Sequence, residues 1–229
     1  MKERIHLPIA VAAVVAALTV GCSAGSGGEL SNGAFAYVCT TNTDVHCQGS
    51  AFPSNLLPNA VAVGSQFNLT YTGETPQTED GIEFQVRVIP VSPSMVESVN
   101  GSGFRIVSPG EAAFLGRGAN GVVADFIHVH AAVVDRIGMI SSNEDVTSVD
   151  VDASAEVSVT ANPIDEDGQT LGGGLSYTWT STDDSVASVT SSGLDNHATI
   201  TGNTAGTAMI SVTSGDAAAT VSVTVGSTQ

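Results

Sequence analysis

Beyond its first 21 residues this 229-residue chain has no lysine. The positive charges left are Arg87, Arg105, Arg117 and Arg136, set against 22 acids, which leaves a net charge of −18. So acidic a surface repels nucleic acid and anionic lipid headgroups, which excludes both as electrostatic partners. It agrees with solubility or with a cationic partner and selects neither. Aromatic residues make up only 5% of the chain, and most of them fall where a core needs them. Helical periodicity is nearly missing after residue 22, which argues against long surface helices. Gly-x-Ser-x-Gly in a strand–turn–helix setting does not appear, and no Walker motif is present, which argues against those nucleophilic and phosphate-binding signatures. Gly101-Ser102-Gly103 reads as a turn, and no residue presents itself as catalytic.

The longest apolar run, Ile5 to Val20, follows a small basic start at Lys2 and Arg4. It is short of the about 20 residues that a membrane-spanning helix needs and fits the apolar stretch of a secretory signal. Leu18-Thr19-Val20-Gly21-Cys22 resembles a bacterial lipobox, with Thr19 where an aliphatic residue is more usual. The resemblance implies cleavage after residue 21 and a lipid (palmitate among its chains) on Cys22; an ordinary secretory signal with a stray cysteine is the alternative. Ser23 to Gly28 follows as Ser-Ala-Gly-Ser-Gly-Gly, a composition that gives a flexible tether. In Gram-negative lipoproteins an Asp after the cysteine retains the protein in the inner membrane. Ser23 stands there instead, which by the same resemblance implies the outer membrane.

With Cys22 lipidated, Cys39 and Cys47 remain as a pair. An exported chain meets an oxidising compartment, and there the pair is expected to form a disulfide. A metal pair with His46 between them is the rival, and it lacks a fourth ligand nearby.

Period-two alternation dominates the rest. Phe67, Leu69 and Tyr71 alternate with Asn68 and Thr70; Val221, Val223 and Val225 alternate with Ser222 and Thr224. Such patterns place apolar side chains on one face of a sheet and hydroxyls on the other. Short strands between Gly, Asn, Asp and Ser clusters imply an all-β chain of two sandwich domains, residues 31–140 and 141–229, after residues 1–21 as signal and 22–30 as anchor and linker. The boundary follows charge: every arginine beyond the signal lies before residue 141, and twelve acids with no Lys or Arg lie after it.

Candidate strands of the second half are 147–152, 155–162, 174–181, 185–190, 197–202, 206–214 and 217–225. Asn162 to Gln169 carries the acidic turn Asp165-Glu166-Asp167-Gly168. Leu175 to Val189 then runs through Tyr177, Trp179, Ser181, Asp183 and Val186-Ala187-Ser188-Val189, and Ala205-Gly206-Thr207-Ala208 precedes a closing valine-rich strand. Together these segments, over roughly residues 146–226, resemble bacterial Ig-like group 2 domains. The resemblance implies an all-β sandwich used as a spacer or adhesion module, with no catalytic residue to carry over. With no cysteine in this half, the core has to hold the sheets together, with Trp179 as its largest buried side chain. Asp165, Glu166 and Asp167 could hold Ca2+ with other carboxylates, although an Asp-Gly turn needs no ion. Asp183 and Asp184 read as a solvated turn.

In the first half the candidate strands are 33–39, 60–72, 82–89, 94–99, 103–107, 111–116 and 121–134. Phe35, Tyr37, Phe67, Leu69, Phe84, Val86, Val88, Phe114 and Leu115 are its expected core. Asp125-Phe126-Ile127-His128-Val129-His130 is the one segment with possible chemistry. On a strand His128 and His130 point to one side and can share a metal, while Asp125 faces the other way. A partly buried and a solvated histidine is the plainer reading. The chain is therefore expected to be a non-enzymatic envelope lipoprotein without cofactor, its Ig-like modules serving as spacer, adhesion or assembly surface. The alternatives are a module that binds polysaccharide or a protein ligand and a metal-binding protein or enzyme acting through His128 and His130.

Overall fold

The computed structural model describes residues 28–39, 41, 43–48, 56–73, 86–99, 103–193 and 195–227. The signal, Cys22 and Phe84 lie outside the described residues. The chain is all-β and forms two Ig-like sandwiches. The first holds β1 (Gly33–Val38), β2 (Val61–Ala62), β3 (Gln66–Gly73), β4 (Val86–Pro90), β5 (Val96–Val99), β6 (Gly103–Ile106), β7 (Gly110–Gly118) and β8 (Val123–Ala132). The second holds β9 (Arg136–Ser141), β10 (Glu144–Asp145), β11 (Ser148–Asp152), β12 (Glu156–Ile164), β13 (Thr178–Ser181), β14 (Ala187–Ser191), β15 (His197–Gly202), β16 (Gly206–Ser214) and β17 (Ala217–Gly226).

The two sandwiches repeat one topology. In the first, sheet β1-β3-β6-β5 faces sheet β2-β8-β7-β4; in the second, β9-β12-β15-β14, with β10 on its edge, faces β11-β17-β16-β13. In each, a short strand pairs in parallel with the last strand: β2 with β8, and β11 with β17. All other pairings within the sheets are antiparallel.

Sheet membership departs from the charge boundary at one strand. Residues 136–140, placed by charge at the end of the first unit, belong to β9 and pair with β12 from Thr160↔Ile140 to Ile164↔Arg136. Charge reports surface composition, whereas sheet membership follows the buried alternation, and Ile137 and Met139 lie in the second core.

The cores differ in chemistry. The first is aromatic: Tyr37 and Phe67 stack at 5.5 Å between centroids, and Phe104 meets Phe114 edge-on at 5.0 Å. Leu115 does not join it. Its neighbour Phe114 is buried, and adjacent strand residues point to opposite faces, so only one of the two can face inward. The second core is aliphatic, built on Val159, Ile200, Ile210, Val212, Val221 and Val223. Its largest fully buried side chain is Tyr177, two residues before the expected Trp179. Trp179 packs half-buried against the core, and its indole N–H donates to the Asp195 carbonyl at 3.0 Å. The rim suits it because a ring nitrogen needs an acceptor that the aliphatic interior lacks.

Cys39 and Cys47 form a disulfide with Cα atoms 5.6 Å apart. Both thiols are consumed, which removes the metal pair with His46. The His46 ring packs edge-on against Tyr37 instead. Replacing both cysteines with Ala is expected to destabilise the chain by about 2–3 kcal/mol, the loop-closure entropy of so short a ring. Urea unfolding of the oxidised parent against the double variant measures it.

Candidate functional site

β8 places the histidines as alternation requires. His128 and His130 share the outer face of the first sandwich, and Asp125 points inward, fully buried. Each histidine has its own carboxylate. His128 Nδ1 pairs with Glu29, and His130 Nδ1 meets Glu111 Oε1 at 2.7 Å. The two pairs are about half exposed. Among the described residues no group of three or more His, Cys, Asp or Glu is gathered as a metal site.

Asp125 does different work. Its carboxylate accepts the backbone N–H of Leu30 at 2.8 Å and of Asn32 at 2.9 Å, while Glu29 N–H donates to the Phe126 carbonyl at 2.9 Å. Residues 28–30, expected as free linker, are thereby fixed to the start of β8. Gly28 is required there because a Cβ would overlap the Asp125 carboxylate.

The acidic turn closes on itself. Asp165 Oδ1 accepts Gln169 N–H at 2.7 Å, and Gly168 has a φ of +82°. Asp165 to Asp167 line one wall of an open groove of about 630 Å3 between the sandwiches, with Asp135, Asp216 and His130. At the other turn, the Ser185 hydroxyl and N–H hold the Asp183 carboxyl below its usual 3.8.

The most built polar site joins the two sandwiches. Between β12 and β13 the run Gly172-Gly173-Gly174 lies against the first sandwich as a strand would. Gly172 N–H donates to Ala60 O and Ala62 N–H to Gly172 O, each at 2.9 Å. Gly174 and Gln66 exchange a reciprocal pair at 2.8 and 3.0 Å. Between them Gly173 N–H donates to the buried Asp44 Oδ1 at 3.1 Å. Asp44 also accepts the Tyr37 hydroxyl at 2.6 Å and His46 N–H at 3.0 Å. Gln48 and Asn196 add a side-chain amide pair at 2.6 Å. Three successive glycines fit because their Cβ positions are taken by Pro58, Ser65 and the Thr41 hydroxyl, and Gly173 has a φ of +95°. Leu171 seals the apolar side against Ala60 and Ala62. The sequence reading missed this site. The glycine triplet before a strand and the acid inside the disulfide loop were its only signals.

Burial pushes the Asp44 carboxyl above 3.8, although the Tyr37, His46 and Gly173 donors pull it down. Burial and then the Asp44 charge raise the Tyr37 phenol well above 10.0, and the same two causes raise Tyr177, whose buried hydroxyl has no hydrogen-bond partner. Because the folded state holds the Asp44 proton more tightly than the unfolded state does, stability falls as pH rises from 3.8 through the folded value and stays lowered above it.

Asp44→Asn is therefore expected to gain stability relative to the parent as pH rises across that window, measured by urea unfolding at a series of pH values. Asp44→Ala strands three donors and is expected to cost about 3 kcal/mol. Gly173→Ala meets both Ser65 and an unfavourable φ, an expected loss of about 1–3 kcal/mol in the same assay.

No family model matches the chain, and no curated protein does. Among solved structures it is similar to domains 4 and 5 of the S-layer protein SbsC, at 16% identity over 83% of this chain and 96% of that one, TM-score 0.34. It is similar to SbsC domains 4–9 at 19% identity over 72% of this chain, TM-score 0.36, and spans only 26% of that longer chain. The D00-D0 domain of intimin is similar at 10% identity, with 72% of this chain and 92% of that one covered and a TM-score of 0.27. Similarity this distant carries no argument about what this chain does.

Proposed function

We propose that this chain is a non-enzymatic, lipid-anchored envelope protein. It is exported under residues 1–21, held through Cys22 in the outer membrane, and displays two Ig-like sandwiches as a spacer or assembly surface. The second sandwich is of the bacterial group 2 type. One observation carries the reading. The segment that leads back to Cys22 docks at Asp125 and Phe126, at the start of β8, while the junction with the second sandwich lies beside Ala131 and Ala132, at its end. From Phe126 to Ala132 the strand rises about 20 Å. The docked segment and the second sandwich therefore lie toward opposite ends of the first, which supports reading the first sandwich as a spacer.

Cells fed a palmitate analogue are expected to label the mature protein, and Cys22→Ala is expected to abolish the label and release the chain from the membrane fraction. An unlabelled parent, with Cys22→Ala fractionating identically, contradicts the anchor.

A further inference from the structure

The outer face of sheet β2-β8-β7-β4 departs from the polar rule for a solvated sheet. Residues directly opposite in antiparallel pairs point to the same side. The register therefore sets Ile89, Leu115 and Phe126 in one row across β4, β7 and β8, with all three turned away from the core. The next row toward the β7–β8 hairpin is Arg87, Arg117 and Val123. Val122 is 50% exposed, Val123 42%, and Leu30, pinned beside them by Asp125, 51%. These apolar residues lie together at the end of the sandwich that receives the tether. Two of the four arginines beyond the signal stand among them. Toward the junction the face turns polar, with Glu111 opposite His130.

We propose that this end of the sheet is a bilayer-contact surface: the hairpin residues Val122 and Val123, with Leu30 and the Ile89-Leu115-Phe126 row, rest in the interfacial layer of the membrane that holds the anchor. The proposal rests on the anchor reading for its location. The length of the tether selects the occupant. Five residues, and so six residue steps, separate Cys22 from Gly28, which puts the anchored sulfur within about 20 Å of the docked segment. So short a tether gives an effective concentration in the millimolar range, and a weak apolar contact suffices to orient the domain. Charge does not drive the contact. The chain is acidic, and the 74–85 connection, which joins β4 at Val86, carries Glu74, Glu79, Asp80 and Glu83. Arg87 and Arg117 contribute by laying their stems along the apolar row with the guanidinium groups at headgroup level. The contact is confined to the tether end, so the sandwich stands inclined, and the second sandwich with Trp179 stays in water.

The test uses the mature chain from Cys22 with its disulfide intact, in which Cys22 has the single free thiol. Coupling that thiol to a maleimide lipid in zwitterionic vesicles containing brominated phospholipid tests the surface whether or not cells lipidate Cys22. Trp179 in the parent is expected to be unquenched. Val123→Trp and Leu115→Trp are expected to lose a large part of the added emission to bromine, Val123→Trp the more, and to keep that loss in about 1 M salt, where charge is screened within about 3 Å. Adding Leu115→Glu to Val123→Trp is expected to reverse the quenching with the β-sheet circular dichroism unchanged. Added tryptophans no more quenched than Trp179 overturn the proposal. So does an emission shift that grows with surface density without bromine quenching, because a second copy would then cover the face.

Discussion

The backbone exchange of Gly172 and Gly174 with Ala60, Ala62 and Gln66 fixes one sandwich on the other. A flexible connection would leave two beads on a string. A strand-like contact closed on a buried carboxylate leaves one body, because sliding it would strand several hydrogen-bonding groups away from water. Asp44 bears the tension in this design. Burial disfavours its charge, yet that charge accepts donors from both sandwiches, among them the hydroxyl of a core tyrosine. The disulfide holds the loop that carries Asp44, so a covalent bond within the first sandwich helps set the position of the second.

Much of the fold is legible from alternation alone. Phe67 and Leu69 on β3, or Val221, Val223 and Val225 on β17, are buried at every second position, and no other backbone geometry gives that spacing. The disulfide was readable because an odd count resolves once Cys22 is set aside. Side-chain placement within a run was less legible. Phe114 and Leu115 are equally apolar, and only strand phase decides which is inside. Tyr177 and Trp179 share a face, but the distance from the sheet end decides which is enclosed. The tether is hard to read for a related reason. Gly28 to Leu30 have a linker's composition, yet Asp125, almost a hundred residues away, supplies the acceptor that fixes them. The glycine triplet reads as a loop in isolation, and its role exists only against the other sandwich.

The same placement gives the histidines a modest part. Each is held by a neighbouring glutamate, and Glu29 belongs to the docked segment. His128 therefore joins Asp125 in holding the entering chain, one on each side of β8. Seen this way, β8 organises the molecule: its first residues receive the docked segment, its outer face carries the apolar row of the proposed membrane contact, and its last residues lead to the second sandwich.

The central claim is that the two sandwiches move as one body. Backbone 15N relaxation of the oxidised mature chain tests it directly. The account predicts one shared rotational correlation time for amides of both cores, from Phe67 and Phe114 to Val159 and Val223. Two distinct, shorter correlation times, one for each sandwich, would contradict it.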